Sequence, residues 1–435
     1  MLFIFSTAVI AAYLVRHYVF TLTVLKNAQR QNVADKAKSA GYQPTVSVLI
    51  PARNEGKVIG TILERMTEMT YPKDKLQVIV VDDGSTDDTG RVAALYAKRS
   101  DYIEVVERDQ EHGGQGKAAA LNAGTRRAKS DIILCFDADY YPQKDIIEKF
   151  AEGFADPKVG AVQGRVTVLN EPINTVTRLV ALERIGGYRV DQQAREELGL
   201  IPQFGGTAGA VRRSLLERMG GWDESILAED TDLTFRVSLE GFKVRYINDA
   251  ECYEEAVESW RAYWRQRHRW SLGHMQVFCK YWVKVLKSNN LGLKKKIDGL
   301  LLLGVYFMPV LVLFSWIIGV LLFFLEPSDW FRMLWALMPF SFYSCVGNFA
   351  PFFEVGAGVH LDGRRRVQWL IPLLVFTFFY NVPICTKAFA DLILSKAFGT
   401  RLDPWSKTTH LGDGNCYVMK QNGFTNAKVL HFLRV

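Results

Sequence analysis

Asp137 and Asp139 stand one residue apart, directly after the apolar run Ile132-Ile133-Leu134. That run reads as a short buried strand. A strand end carrying two carboxylates suits a divalent cation, because hard cations take oxygen ligands. An Asp-x-Asp pair before a proline, here Pro142, is equally a solvated turn. Other clusters bear on the choice. Asp82-Asp83-Gly84-Ser85 follows an apolar run, and Glu229-Asp230-Thr231-Asp232 opens a stretch with helical spacing over residues 231–240. Further on, Arg261, Arg265, Arg267 and Arg269 are interleaved with Trp260, Tyr263, Trp264 and Trp270. Such a stretch fits a helix lying in a membrane interface.

The elements that must position these groups follow a simple order. Apolar strand patterns at 46–51, 76–81, 103–106 and 132–136 alternate with helical patterns at 58–69, 89–99 and 116–128. This argues for an α/β fold with a parallel sheet and crossover helices. Ligands of such sheets bind beyond the carboxyl ends of the strands. Residues 51–55, 82–85 and 137–139 all fall at that end, which predicts a nucleotide site without a Gly-x-Gly-x-x-Gly fingerprint. A further strand is predicted over 159–168, with Gln163 and Arg165 on the face opposite Val162 and Val166. The glycines of Phe204-Gly205-Gly206-Thr207-Ala208-Gly209 allow a flat ligand close to the backbone.

The chain has 435 residues, too many for one ordinary domain, and its hydrophobic residues, 49% of the total, are clustered. Segments 2–25, 299–325, 333–353 and 367–386 are each long enough to cross a membrane. The first lacks the basic start and small-residue cleavage site of a signal peptide. The expected division is an N-terminal transmembrane helix at 1–25, a catalytic-sized domain at 26–252, and interfacial helices at 253–296. About three spans at 297–394 and a tail at 395–435 complete it. Lys26, Arg30, Lys36 and Lys38 follow the first span and Lys294-Lys295-Lys296 precede the next, which puts the large domain in the cytoplasm. The net charge of +7 fits an anionic leaflet, so membrane lipid is an expected partner and nucleic acid is not. Asp362–Arg366 is also expected on the cytoplasmic side. Pro372, Asn381, Pro383, Lys387 and Asp391 make 367–394 an irregular span. The side of the tail, with Pro404-Trp405-Ser406-Lys407-Thr408-Thr409-His410 near its start, is left open. The six cysteines are scattered without a Cys-x-x-Cys pair, which indicates neither zinc nor a disulfide framework.

Five motifs stand in a telling order: Val-Asp-Asp-Gly-Ser at 81–85, Gly-Lys-Ala-Ala-Ala-Leu-Asn-Ala-Gly at 116–124, Asp137-Ala138-Asp139, Ala228-Glu229-Asp230, and Gln266-Arg267-His268-Arg269-Trp270. On these the sequence resembles glycosyltransferase family 2 over residues 45–275. The branch is the membrane one, with cellulose, chitin, hyaluronan and mannan synthases. The resemblance implies a nucleotide-diphospho-sugar transferase (GT-A-like) domain with a mostly parallel sheet, flanked by transmembrane and interfacial helices. It implies that Asp82 or Asp83 reads a uracil edge, that Glu55 lies beside the uridine, and that Lys117 and Arg269 meet the diphosphate. A lysine at a helix start opposes the helix dipole unless an anion shares the site. Asp137 and Asp139 would hold Mg²⁺ or Mn²⁺ against the diphosphate, as a Lewis acid for the departing nucleotide. Gly206, Thr207, Glu229, Gln266 and Trp270 would hold the acceptor, the indole serving as a stacking platform. Asp230 would be the general base that takes the proton of the attacking hydroxyl. The common motif has Thr where Ala228 stands, which costs a hydroxyl and leaves the base.

The expected function is inverting, metal-dependent, processive transfer that polymerises a β-linked polysaccharide from a nucleotide sugar. The donor would be a UDP-hexose or UDP-N-acetylhexosamine, with export across the membrane as a further step. The alternative is single addition to a membrane lipid, because Gln-x-x-Arg-Trp also occurs in glycolipid synthases. A non-catalytic sugar-nucleotide sensor is opposed by the complete set Asp137, Asp139, Asp230 and Gln266–Trp270. Expected partners are the nucleotide sugar and a growing glycan or lipid acceptor. About four spans are few for a channel, which leaves room for a homo-oligomer or an accessory export subunit. The expected location is the plasma membrane, with the catalytic domain cytoplasmic.

Overall fold

The computed structural model describes residues 2–28, 41–109, 113–325 and 349–399. Most of the span expected at 333–353, the residues Arg30, Lys36 and Lys38, and the tail beyond 399 lie outside the described residues. Helix α1 (Leu2–Asn27) is followed by β1 (Val46–Ala52), α2 (Ile59–Thr67), β2 (Leu76–Asp83), α3 (Thr89–Ala97), β3 (Ile103–Arg108), α4 (Lys117–Arg127) and β4 (Ile132–Cys135). Then come β5 (Tyr141–Pro142), α5 (Ile146–Gly153), β6 (Val159–Val168), α6 (Thr175–Arg184), a π-helical segment (Ile185–Gln192) and α7 (Gln193–Glu197). Strand β7 (Gly209–Arg212), α8 (Arg213–Arg218), α9 (Glu229–Leu239) and β8 (Lys243–Glu254) complete the part that holds the sheet. Five helices end the described chain: α10 (Trp260–Lys287), α11 (Leu293–Gly304), α12 (Met308–Leu325), α13 (Phe349–Leu361) and α14 (Leu374–Phe398).

One eight-stranded sheet runs β3-β2-β1-β4-β7-β6-β8-β5. The pairs β2–β3, β1–β2, β1–β4 and β6–β8 are parallel, as the alternation of strands and helices requires. The short strands β7 and β5 run antiparallel to their neighbours, an addition that the sequence pattern does not announce. Strand alternation separates the core into two layers. Val48, Ile50, Val78, Val80 and Leu134 pack with Ile59, Ile62, Met66 and Phe150 on one face. Leu49, Ile79, Val81, Ile133 and Cys135 pack with Leu121, Leu215, Trp222 and Leu233 on the other. Both faces being covered is why these strands read as unbroken apolar runs.

Among the described residues, three helical stretches are long and apolar enough to cross a membrane: Ala8–Asn27, Leu293–Ile318 and Val367–Phe398. The second begins earlier than expected and takes in Lys294, Lys295, Lys296 and Asp298. The third extends beyond 386. Arg16 within α1 pairs with Asp191, and Arg195 pairs with Asp191 (2.6 Å) and with Asp298. Phe20 and Val24 of the same helix pack on Val190 and Ala194. The second half of α1 is therefore seated on the part that holds the sheet, where its charge is compensated. Two polar residues of α14 turn to α10: Asn381 donates to the Tyr263 hydroxyl (3.0 Å) and Asp391 meets His268 (2.8 Å).

Candidate active site

A cleft of about 400 Å³ opens at the carboxyl ends of β1, β2 and β4. Glu55, Asp83, Lys117, Asp137 and Asp139 line it together with Thr207, Glu229, Asp230, Gln266, Arg269 and Trp270. Of the residues expected from sequence, only Asp82 and Gly206 do not line the cleft.

Two loops build the rim after β1 and β2. Asn54 adopts a left-handed conformation (φ 54°). Its side chain accepts the Thr86 N–H (2.7 Å), while its own N–H donates to Ser85 Oγ (2.9 Å). The Glu55 N–H donates to Thr89 Oγ1 (2.7 Å). Asp82 and Asp83, being adjacent on a strand, part to opposite faces. Asp82 Oδ1 accepts the Ser85 N–H (3.0 Å), and its Oδ2 would lie 2.5 Å from a Cβ on Gly90. Asp83 faces the cleft, paired with Arg108 and accepting the Gly114 N–H (3.0 Å). Gly114 has φ +74°, a conformation that favours glycine, and it lies against the Arg53 guanidinium.

Lys117 opens α4. Its ammonium lies 2.5 Å from Asp137 Oδ1 and donates to the Gly206 carbonyl at 2.9 Å. Burial opposes its charge, but Asp137, Glu229 and Asp230 outweigh this and hold its pKa above the usual lysine value. Asp137 and Asp139 lie in the turn between β4 and β5, where the Asp137 N–H donates to Thr207 Oγ1 (3.1 Å). Burial raises the Asp139 carboxyl well above the carboxylate range, and Asp137 and Glu254 add repulsion. Among the described residues no three His, Cys, Asp or Glu side chains form a ready metal cage. The donor set still fits Mg²⁺ or Mn²⁺, which use one or two carboxylates with phosphate oxygens and water. Burial, then Asp137 and Glu254, disfavours the ionised Asp139 carboxylate, a cost that a bound cation would offset.

Helix α9 begins at Glu229 with no side-chain cap from Ala228. Asp230 Oδ1 accepts the Thr231 N–H (2.6 Å). A Cβ on Gly206, which has φ +75°, would come within 3.1 Å of Asp230 Oδ2, so the glycine loop closes directly on this carboxylate. Burial, then the neighbouring Asp230, raises the Glu229 carboxyl to about 7. Asp232 of the same cluster is fully buried outside the cleft. It binds Arg236 (2.6 Å), Lys280 (2.7 Å) and the Tyr281 hydroxyl (2.8 Å), tying α9 to α10.

The arginines of α10 divide. Arg261 and Arg265 are exposed, as an interfacial helix requires, whereas Arg267 and Arg269 line the cleft. Burial lowers the Arg269 pKa, while Glu229, Asp137 and Asp230 act against this. Trp270 does not stand bare. Arg267 and Arg184 lie 4.4 and 5.0 Å from its ring centroid, held in turn by Glu183 and Glu254. Gln163 is wholly buried. Its amide donates to the carbonyls of Gly164, Thr207 and Ala208, and its Oε1 accepts the Gly205 N–H (2.7 Å), which fixes the glycine loop.

Sequence reasoning did not single out Arg53, Arg184, Tyr188, Gln203 or His274, all of which line the cleft. For His274 a signal exists: it stands four residues after Trp270, on the same helix face. The others carry no local pattern.

Residues 44–273 match the family model described as glycosyltransferase like family 2. The probable glycosyltransferase YdaM of Bacillus subtilis is 39% identical over 245 residues, covering 56% of this chain and 58% of that protein. A beta-monoglucosyldiacylglycerol synthase of a Nostoc species is 35% identical over 273 residues, 62% of this chain and 57% of that one. The glucomannan 4-beta-mannosyltransferase 7 of Arabidopsis thaliana is 32% identical over 267 residues, 59% and 47% of the two chains. The match thus spans about half the length of these relatives. Among solved structures, the mannosyltransferase PcManGT from Pyrobaculum calidifontis, in complex with GDP-Man and Mn²⁺, shares the fold. Its TM-score is 0.56 at 24% identity, over 81% of this chain and 97% of that one.

Proposed function

Because the chain belongs to glycosyltransferase family 2 and has its GT-A-like fold, we propose that it moves a hexose from a nucleotide sugar onto an acceptor hydroxyl at the membrane, extending a β-linked polysaccharide. The observation that carries this reading is the single cleft that joins Lys117, Asp137 and Asp139 to Asp230, Gln266, Arg269 and Trp270. The same cleft reaches Val305 and Tyr306, at the break between α11 and α12 inside the Leu293–Ile318 stretch. That break gives the product a route toward the membrane.

Each side chain then has a task. Asp83 and Glu55 hold the nucleoside, a uridine in this reading. Lys117 and Arg269 face the diphosphate. Asp137 and Asp139 hold Mg²⁺ or Mn²⁺, which when bound supplies Lewis-acid stabilisation of the departing nucleoside diphosphate. The Gly206–Thr207 loop, Glu229 and Gln266 orient the acceptor, and Trp270 offers whatever ring surface its two arginines leave. Asp230 takes the proton of the acceptor hydroxyl. The hydroxyl oxygen attacks the anomeric carbon as its bond to the diphosphate breaks, so an α-linked donor yields a β-linkage. Lys294, Lys295 and Lys296, at the start of the Leu293–Ile318 stretch, keep the catalytic part on the cytoplasmic side of the plasma membrane.

A second reading is single transfer to a membrane lipid. It is favoured by the cleft wall at Val305 and Tyr306, where a lipid headgroup could enter, and by the glycolipid synthases among the relatives. Incubating membranes that contain the protein with labelled UDP- and GDP-sugars separates the two. The polymer reading expects a glycosidase-sensitive polymer that stays out of organic solvent. A single organic-soluble glycolipid replaces it with the second reading, and no transfer from any donor contradicts both.

A further inference from the structure

Asp230 is held by more than its own helix. Its Oδ1 accepts from the Thr231 N–H at 2.6 Å and from the Thr231 hydroxyl at 3.2 Å. That hydroxyl accepts the Gln203 side-chain amide (2.9 Å) and lies 3.3 Å from His274 Nε2. Gln203 is itself clamped by Gln192, whose amide donates to the Gln203 carbonyl (2.7 Å) and whose Oε1 accepts the Gln203 N–H (2.9 Å). Gln192 ends the π-helical segment Ile185–Gln192, a geometry concentrated at functional sites. Gln192, Gln203 and His274 all line the cleft, and Thr231 is wholly buried behind it.

Proton counting gives this chain a direction once the His274 hydrogen is assigned to Nε2, the tautomer that leaves no unpaired N–H; the opposite tautomer would have Nε2 accept from the Gln203 amide (3.5 Å) and the Thr231 hydroxyl. A threonine hydroxyl has one donor and two acceptor lone pairs. Here one lone pair receives the Gln203 amide. Burial lowers the pKa of His274, against the pull of Asp230, and so keeps the imidazole neutral. With its hydrogen on Nε2, His274 fills the second lone pair. Its Nδ1, which has no hydrogen-bond partner among the described residues, is then a bare lone pair rather than an unpaired N–H. The Thr231 proton is left for Asp230.

We infer that Gln203 and His274 are positioning residues that act through the Thr231 hydroxyl. They commit that hydroxyl to Asp230 Oδ1 and so fix Oδ2 beside Gly206, on the acceptor side. The inference rests on the reading of Asp230 as the general base. It predicts a loss in the chemical step with donor binding unchanged.

The test compares T231V, T231S, Q203M and H274Q by kcat, donor KM, nucleotide affinity and melting temperature. T231V should lower kcat roughly 10- to 100-fold, the scale of one lost hydrogen bond to a charged group. Donor KM and nucleotide Kd should stay within about twofold of wild type, and T231S should recover most of the rate. Q203M and H274Q should each lower kcat in the same selective way, and they carry the test if T231V does not fold. A wild-type kcat in T231V, or in both Q203M and H274Q, overturns the inference. So does an equal loss in T231S, or a fall in kcat matched by a rise in donor KM. D230N separates the two levels. If D230N turns over normally, the reading of the base fails. If D230N is inactive while T231V is active, only the positioning role fails.

Discussion

The ammonium of Lys117 lies 2.5 Å from Asp137 Oδ1, and it also donates to the Gly206 carbonyl. One cation therefore spans the donor turn after β4 and the glycine loop that closes on Asp230. Replacing it by methionine keeps the length and removes the charge. Lys117→Met should weaken nucleoside diphosphate binding at least tenfold, about 1.4 kcal/mol, as read by calorimetry. An unchanged Kd would separate Lys117 from the donor site.

Asp139 supplies the test of the cation. Its carboxyl is raised by burial, then by Asp137 and Glu254, so it holds a proton above the usual carboxylate range. A cation must displace that proton. Mn²⁺ affinity should therefore rise with pH and be accompanied by proton release. Asp139→Asn should weaken binding and flatten the pH dependence, observed by the electron paramagnetic resonance of free Mn²⁺. Equal affinity in the variant would place the cation elsewhere.

Glu229 should set part of the pH dependence of stability. Its folded pKa of about 7 stands above the ordinary glutamate value of 4.5. Between these values the folded chain binds more protons than the unfolded one, so stability falls as pH rises. Thermal melts of the ligand-free protein should show a falling Tm across that window. Glu229→Gln should make the slope less negative, against a background to which Asp139 adds and the buried neutral His274 contributes the opposite sign. A slope identical in the variant would contradict the assignment.

Asp232 should behave as a structural residue despite its place in the acidic cluster. Asp232→Ala leaves Arg236 without its carboxylate and Lys280 with Asp223 alone, and should cost about 3 kcal/mol. The readout is denaturant unfolding, with nucleotide affinity unchanged when measured below the transition. Loss of nucleotide binding in a folded variant would assign Asp232 to the site instead.

Much of this was legible in the sequence, for physical reasons. Strands covered on both faces must be apolar throughout, which made β1, β2 and β4 readable, and their carboxyl ends located the cleft. Strand β7 has four residues and β5 two, too short for a pattern, so the antiparallel half of the sheet was not. The parting of Asp82 from Asp83 follows from strand alternation, but which face meets the ligand depends on Arg108 and Gly114, distant in sequence. Trp270 was expected as an open platform. Its partner Arg184 comes from α6 and has no local signal, whereas Arg267 stands three residues earlier on the same face of α10, a spacing the sequence reading did not use. The span after residue 367 looked irregular because of Pro372, Asn381, Pro383, Lys387 and Asp391, and the partners of Asn381 and Asp391 lie on α10, distant in sequence. Asn381 meets Tyr263 and Asp391 meets His268.

Turnover of an α-linked nucleotide sugar by wild type and Asp230→Asn, with nucleotide affinity measured in parallel, tests the central claim most directly. Wild type should give a β-linked product by NMR. Asp230→Asn should lose about 10²- to 10⁴-fold in rate, the usual worth of a general base, and still bind the nucleotide. Undiminished turnover in the variant, or an α-linked product from wild type, would contradict inverting transfer with Asp230 as its base.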